Sequence, residues 1–368
     1  MKILEIDKDV LLRPLQAVSG IVERRHTLPI LSNVMLETRG PDLNLVATDL
    51  EIQIATSAKL DKAGADHAVT VSARKLQDIL RALPERTAVT LDAQEGRLQV
   101  KAGKSKFNLQ TLPAQDFPRM AEGGSATASV KLPQKVFRDL LSLVQYGMAQ
   151  QDIRYYLNGL LLVADGKQLT MVATDGHRLA YASTSLASEV ERSEVIIPRK
   201  AILELAKLLE DVEEDVEIQL LPNQVRFIFA GIDIVSKVVD GKFPDYTRVI
   251  PTNYQKHFAV GRIVLQQALQ RASILSNEKF RGVRWVLTAN SLRIICSNAE
   301  QEEAEEELVV DYAGEPLDIG FNIVYLLDVL NNLDTEEVDC AVGDANSSML
   351  ISVPGNKNFK YVVMPMRI

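Results

Sequence analysis

The sequence predicts an α+β protein built from three tandem copies of one domain, and three observations predict it. The first is repetition. Val46-Ala47-Thr48-Asp49 recurs as Val172-Ala173-Thr174-Asp175, a step of 126. Arg74-Lys75 recurs as Arg199-Lys200, a step of 125, and Phe117-Pro118 as Phe243-Pro244, again 126. The second is the length of that period, which is too long for a solenoid unit and right for a whole domain. The third is the order of periodicities within a copy: helix, strands, helix, strands. The copies are expected at 1–125, 126–252 and 253–368, with joints near Gly123-Gly124-Ser125 and Pro251-Thr252-Asn253.

The chain opens on the alternation Lys2-Ile3-Leu4-Glu5-Ile6, a strand and not a signal peptide. The first helix puts Val10, Leu11, Leu15 and Val18 on one face, with Pro14 obscuring where it starts. A second helix is capped by Ser72, carries Leu76, Ile79, Leu80 and Leu83, and stops at Pro84. Copy two has a helix over about 134–146 and another that begins with Pro198 and carries Ile202, Leu205, Ala206 and Leu209. Copy three has helices over about 263–275 and 323–333. Alternating stretches such as Leu43-Asn44-Leu45-Val46 and Val225-Arg226-Phe227-Ile228-Phe229 read as strands. The third copy is the faintest: Gly282-Val283-Arg284-Trp285-Val286 stands where Asn158-Gly159-Leu160-Leu161-Leu162 and Asn33-Val34-Met35-Leu36 stood before.

Composition narrows the function classes. No run of about 18 apolar residues is present, so no membrane span is expected. Two cysteines, Cys296 and Cys340, make no disulfide framework, and a cytoplasmic location fits. His26, His67, His177 and His257 have no metal-ligand spacing, so neither metal nor cofactor is expected. The net charge of −8 argues against nucleic acid, but Glu300, Glu302, Glu303, Glu305, Glu306 and Glu307 form one acidic block, without which the balance is near −2. Basic residues lie off the apolar faces of the helices, among them Arg13, Arg74, Lys75, Arg138, Arg199, Lys207 and Arg271, whereas the helix at 323–333 has none. Each such face reads singly as a solvated surface; together, five of six form a basic surface.

Thr174-Asp175-Gly176-His177-Arg178 invites a hydrolase reading with Asp175 and His177 as an acid–base pair. No nucleophile elbow or metal set accompanies it, and Asp49 occupies the matching place with no His, so a turn-forming Asp explains both. A hydrolase would show turnover that His177→Ala abolishes.

Four longer motifs, Gln151-Asp152-Ile153-Arg154-Tyr155-Tyr156-Leu157-Asn158-Gly159, Ala173-Thr174-Asp175-Gly176-His177-Arg178-Leu179-Ala180, Ser276-Asn277-Glu278-Lys279-Phe280-Arg281-Gly282-Val283-Arg284 and Tyr361-Val362-Val363-Met364-Pro365-Met366-Arg367, resemble the bacterial sliding clamp, the beta subunit of DNA polymerase III, over the whole chain. The resemblance implies three clamp domains of two helices plus antiparallel sheets each, and a head-to-tail homodimeric ring whose helices face encircled duplex DNA. It implies a non-catalytic processivity factor that engages a clamp loader, the replicative polymerase alpha subunit and other proteins with a clamp-binding motif. By the same resemblance the peptide-binding residues are Leu157, Thr174, Gly176, His177, Arg178, Leu179, Pro244, Arg248, Val249, Asn322, Tyr325, Ser348, Val362, Val363, Met364, Pro365, Met366 and Arg367, with Arg178 and Arg248 capping a peptide's polar groups. Asn346 and Ile368 depart from the small apolar residue and the Leu expected there. The DNA-contacting residues are Arg25 (Arg24 is adjacent), Arg74, Gln151, Tyr155 and Tyr156. At the dimer interface, Lys75, Ile79, Lys104, Lys106, Phe107 and Leu109 of copy one are expected to face Ile274, Leu275, Glu300 and Glu303 of copy three, opposite charges framing an apolar contact. A resistance-type duplicate of the clamp fits the same sequence.

Overall fold

In the computed structural model, which describes residues 1–23, 27–121 and 123–367, each third of the chain runs through the same series of elements. Copy one contains β1 (Lys2–Asp7), α1 (Lys8–Ser19), β2 (Asn33–Arg39), β3 (Asp42–Thr48), β4 (Ile52–Lys59), β5 (His67–Ser72), α2 (Ala73–Ala82), β6 (Ala88–Gln94), β7 (Arg97–Ala102) and β8 (Ser105–Leu112). Copy two follows with β9 (Ala128–Pro133), α3 (Gln134–Val144), the long strands β10 (Gly159–Thr174) and β11 (Arg178–Pro198), α4 (Arg199–Leu208), β12 (Asp215–Leu220), β13 (Gln224–Phe229) and β14 (Ile232–Lys237). β10 and β11 stand for two strands each. Copy three contains β15 (Lys256–Gly261), α5 (Arg262–Ser273), β16 (Gly282–Thr288), β17 (Ser291–Ser297), β18 (Glu303–Val309), β19 (Leu317–Asn322), α6 (Ile323–Asn332), β20 (Glu337–Val342), β21 (Met349–Val353) and β22 (Asn356–Val363).

The chain divides into two compact units, one of residues 1–135 and 203–238, the other of 136–202 and 239–368, so the division falls inside the second copy. The first unit holds one antiparallel sheet in the order β1-β6-β7-β8-β5-β2-β3-β4-β14-β13-β12-β9. Copies one and two meet in it at β4 and β14, where Ile232 faces Thr56 and Ile234 faces Ile54. The second unit holds β10-β11-β22-β21-β20-β15 and a separate sheet β18-β17-β16-β19. There copies two and three meet at β11 and β22, with Arg178 opposite Val363 and Ala180 opposite Tyr361. One joint is thus used twice.

Alternation sets the buried faces. Val225, Phe227 and Phe229 of β13 are buried, and Arg226 is turned out to Asp233. Ser72 caps α2 as expected, accepting from the Lys75 N–H at 3.4 Å. α1 begins at Lys8 with Asp7 as cap, continues through Pro14, and buries Leu11, Leu15 and Val18. Val10, expected on that face, is 45% exposed; it lies eight residues before Val18 and drifts off the stripe. Pro198 ends β11, and α4 starts one residue later.

Candidate functional site

The turn between β10 and β11 is built by one carboxylate. Asp175 Oδ1 accepts the backbone N–H of His177 at 2.9 Å and of Arg178 at 3.0 Å. In copy one Asp49 Oδ1 accepts from Glu51 at 2.9 Å and Ile52 at 2.7 Å in the same way. The two Asp side chains therefore do the same local work, and a catalytic pair is not needed to explain either. Thr174 Oγ1 donates to the Arg178 carbonyl at 2.5 Å and accepts from the Gly176 N–H at 3.1 Å. Gly176 has φ +87, a backbone conformation that favours glycine, and the Arg154 guanidinium lies against it.

Beyond this turn lies an apolar floor. Leu161, Val163, Val172, Leu179, Ile196, Phe243 and Val362 form one buried cluster, against which Tyr156, Tyr181, Tyr246 and Ile250 pack. Leu179 pairs directly with Val362. Next to buried Phe243, Pro244 is exposed, and a single helical turn at 246–248 leads to Val249, 45% exposed. The terminal residues are tied down: the Met364 N–H donates to the His177 carbonyl and the Met366 N–H to the Gly320 carbonyl, both at 2.8 Å. Met364 is 47% exposed, and Arg367 is exposed. Ser348 precedes Met349, which pairs with Val363. Asn322 caps α6, its side chain accepting from the Val324 N–H at 2.9 Å. Leu157 is buried in the one-turn helix at 155–157.

Arg178 is bonded within the fold. Its Nε donates to Asp175 at 3.1 Å, Nη1 to Asp328 at 2.6 Å and Nη2 to the Tyr146 carbonyl at 2.7 Å. The guanidinium also lies 4.3 Å from the centre of the Tyr325 ring. Three of its five N–H donors are thus used inside the fold, and its side chain is only 9% exposed. Burial opposes its charge, but Tyr361, Asp328 and Asp175 outweigh burial and hold the guanidinium more firmly protonated than usual. Burial also pushes the hydroxyls of Tyr146, Tyr325 and Tyr361 up. Arg248, by contrast, is exposed and pairs with Asp245 at 2.9 Å. Tyr146, Asp328, Tyr361, Phe243 and Tyr246 are the residues that sequence reasoning did not assign. Only the repeated Phe-Pro could have drawn attention to Phe243.

Of the expected DNA contacts, Arg25 lies outside the described residues. Arg74 is exposed, 3.7 Å from Asp78. Gln151 sits at φ +58 in an exposed loop. Tyr155 is 58% exposed, while Tyr156 packs on the apolar floor, its ring 6.1 Å from that of Tyr155. These tyrosines open a one-turn helix. Arg154 is turned to Asp152, with bonds of 3.0 and 2.8 Å, and holds the Asp152 carboxyl down to about 2.

Of the expected interface residues, Lys75, Lys104, Lys106, Glu300 and Glu303 are exposed, Ile79, Phe107 and Leu275 half-buried, and Leu109 buried. Ile274 is 78% exposed. The acidic block is partly matched within its own copy: Glu306 accepts from Arg271 at 2.8 and 2.6 Å, and Glu305 from Arg293 at 3.3 Å. Among the described residues no cluster of three or more His, Cys, Asp or Glu is placed to hold a metal, and no helix is long and apolar enough to cross a membrane.

Three family models match in succession: DNA polymerase III beta subunit, N-terminal domain over residues 1–121, central domain over 131–245 and C-terminal domain over 247–367. A beta sliding clamp of Pseudomonas putida is 49% identical over 365 residues, 99% of each chain, and that of Escherichia coli K12 is 44% identical over 363 residues, again 99% of each. The crystal structure of the DNA polymerase III subunit beta from Pseudomonas aeruginosa covers all of both chains with a TM-score of 0.96 and 47% identity. A sliding clamp of the same organism bound to griselimycin matches with a TM-score of 0.96 and 46% identity.

Proposed function

The chain belongs to the DNA polymerase III beta-subunit family, and from that premise we propose which parts of it perform the family's work. The protein is a non-catalytic processivity factor, a sliding clamp that encircles duplex DNA and tethers a polymerase.

The peptide site proposed is the cleft over Leu179 and Val362, bordered by Pro244, Val249 and Met364. The observation that carries it is the pairing of a buried apolar floor with half-exposed apolar walls beside backbone groups at 364–367. A short extended peptide with paired apolar side chains fits such a groove. Its small contact implies micromolar affinity, roughly −8 kcal/mol, which lets partners exchange. Arg248 is the exposed cation for the peptide's polar groups, and Arg178 positions the cleft. The partners proposed are the replicative polymerase alpha subunit, a clamp loader and other carriers of the same motif. Fluorescence anisotropy with a labelled polymerase-tail peptide tests the site: Leu179→Asp with Met364→Asp should abolish binding, and retained binding would move the site elsewhere.

The dimer contact follows from the twice-used joint. β4 pairs with β14 and the corresponding stretch of β11 pairs with β22. Their counterpart in copy three, β18, is the edge of its sheet, and the counterpart of β14 and β22 in copy one is β8. β5 meets β8 only at Thr111 and Leu112, so pairing β18 with the rest of β8 of a second chain repeats the joint head to tail and closes a ring. Lys106 of β8 and the acidic residues of β18 then lie along the same joint. The domains proposed are 1–125, 126–252 and 253–368. Arg25, Arg74, Gln151, Tyr155 and Tyr156 are proposed to touch DNA, Tyr155 by its exposed ring.

A further inference from the structure

We propose that the chain carries a second binding site, for a small planar cation of the aryl-amidinium or guanidinium class, in the cavity between α1 and α4. The cavity has a volume of about 630 Å3, and Arg13, Gly20, Thr56, Glu204, Lys207 and Gly231 are among its lining residues. That size suits a small molecule. Among the described residues, none of those assigned above to peptide or dimer contact lines it, and Arg13 and Lys207 belong to the basic helix faces.

The two joints within the chain show what is missing from it. At the joint of copies two and three, Tyr146, Arg178 and Tyr361 crowd around Asp328. At the joint of copies one and two, the step of 126 sets Gly20 in place of Tyr146 and Ile52 in place of Arg178. Strand register sets Ile234, opposite Ile54, in place of Tyr361, opposite Ala180. Glu204 takes the place of Asp328, each being the sixth residue of its helix. Ala17 likewise replaces Leu143. The acid is kept, while the guanidinium and both rings are gone.

The acid that remains rests against Gly20 and lines the cavity. Glu204 is 8% exposed, and a Cβ on Gly20 would lie 2.2 Å from its Oε2. Lys207 reaches only Oε1, at 2.7 Å, from a side chain that is 66% exposed. Arg13 is turned to Glu210 at 3.1 Å. An amidinium offers a carboxylate two parallel N–H donors, and its ring would lie beside Ala17, which among the described residues stands where the other joint has Leu143. A buried carboxylate left with one surface lysine disfavours an anion there.

The probe is p-aminobenzamidine, titrated by fluorescence into the full-length protein, with neutral benzamide as the control compound. Saturable binding is expected that benzamide does not displace. Glu204→Gln keeps the shape and removes the charge, and should weaken binding at least tenfold. Gly20→Tyr restores the ring of the other joint. Helical backbone at Gly20 (φ −60, ψ −33) accepts it, and the clash is with the movable end of Glu204. This variant should also lose at least tenfold. Both should bind the labelled polymerase-tail peptide as the unsubstituted chain does. If Gly20→Tyr fails to fold, as a lost cooperative melt would show, Glu204→Gln alone decides. No saturable binding, displacement by benzamide, or affinity within twofold in Glu204→Gln overturns the proposal.

Discussion

Arg178 shows how much one side chain holds together. It joins the Asp175 turn to α6 through Asp328 and to the stretch after α3 through the Tyr146 carbonyl. Removing one partner of a pair this buried costs about 3–5 kcal/mol, because the other charge stays behind unmatched. Arg178→Ala is therefore expected to lower the melting temperature by several degrees and weaken the labelled peptide, whereas Arg248→Ala should weaken the peptide with no change in melting. Equal melting curves for both variants would contradict the division of roles. A second residue-scale expectation concerns pH. The Arg154 bond holds Asp152 down to about 2, against about 4 in an unfolded chain. A depressed carboxyl stabilises the fold above the unfolded value and gives up that contribution as pH falls towards 2. NMR titration should place the Asp152 midpoint near 2, and an ordinary midpoint would mean that the loop is not held as described. The thiols behave oppositely. Burial pushes Cys296 up to about 11 and Cys340 up to about 12, so a thiol reagent at pH 8 should react with them only on unfolding.

At the scale of elements, the terminal segment and the strand β18 carry the sharpest expectations. Deleting residues 364–368 removes two backbone bonds, to His177 and Gly320, but leaves all of β22. Ile368 lies outside the described residues. The truncated protein should keep its fold and its dimer and lose the peptide; full peptide binding, or loss of the dimer as well, would contradict this. Ile274→Ala should leave the isolated chain as stable as before, because the side chain is 78% exposed there. With Leu275→Ala it should shift the dimer towards monomer in sedimentation at nanomolar protein, by about 2–5 kcal/mol for each side chain that is well packed in the contact. Raised salt should add little, since such exposed ion pairs contribute weakly. The elements are largely legible in the sequence because alternation and helical periodicity are local. Ser72 as cap, and Asp49 and Asp175 as turn formers, are readable for the same reason. The bonds of Arg178 are not, since Asp328 lies 150 residues away and only the fold brings it near. The path of the loop at 150–158 is not legible either, because an Asp–Arg pair and a positive φ at Gln151, neither of them periodic, set it.

For the whole molecule, the repeat alone makes the three-domain architecture legible, and the repeated joint makes the assembly derivable. What repetition does not reveal is that the compact units cut through the second copy, because sheet pairing from β4 to β14 and from β11 to β22 binds its two halves to different neighbours. It also hides the difference between the two joints, one packed with tyrosines around Arg178 and the other with Glu204 against Gly20. The central claim is that two copies of this chain close around DNA and are held by topology more than by tight contacts. Retention of labelled protein on nicked circular DNA, before and after linearisation, tests it most directly. The account predicts protein that stays on the circle through a gel-filtration column and runs off once the circle is cut. Equal retention on both forms, or on neither after loading, would contradict it.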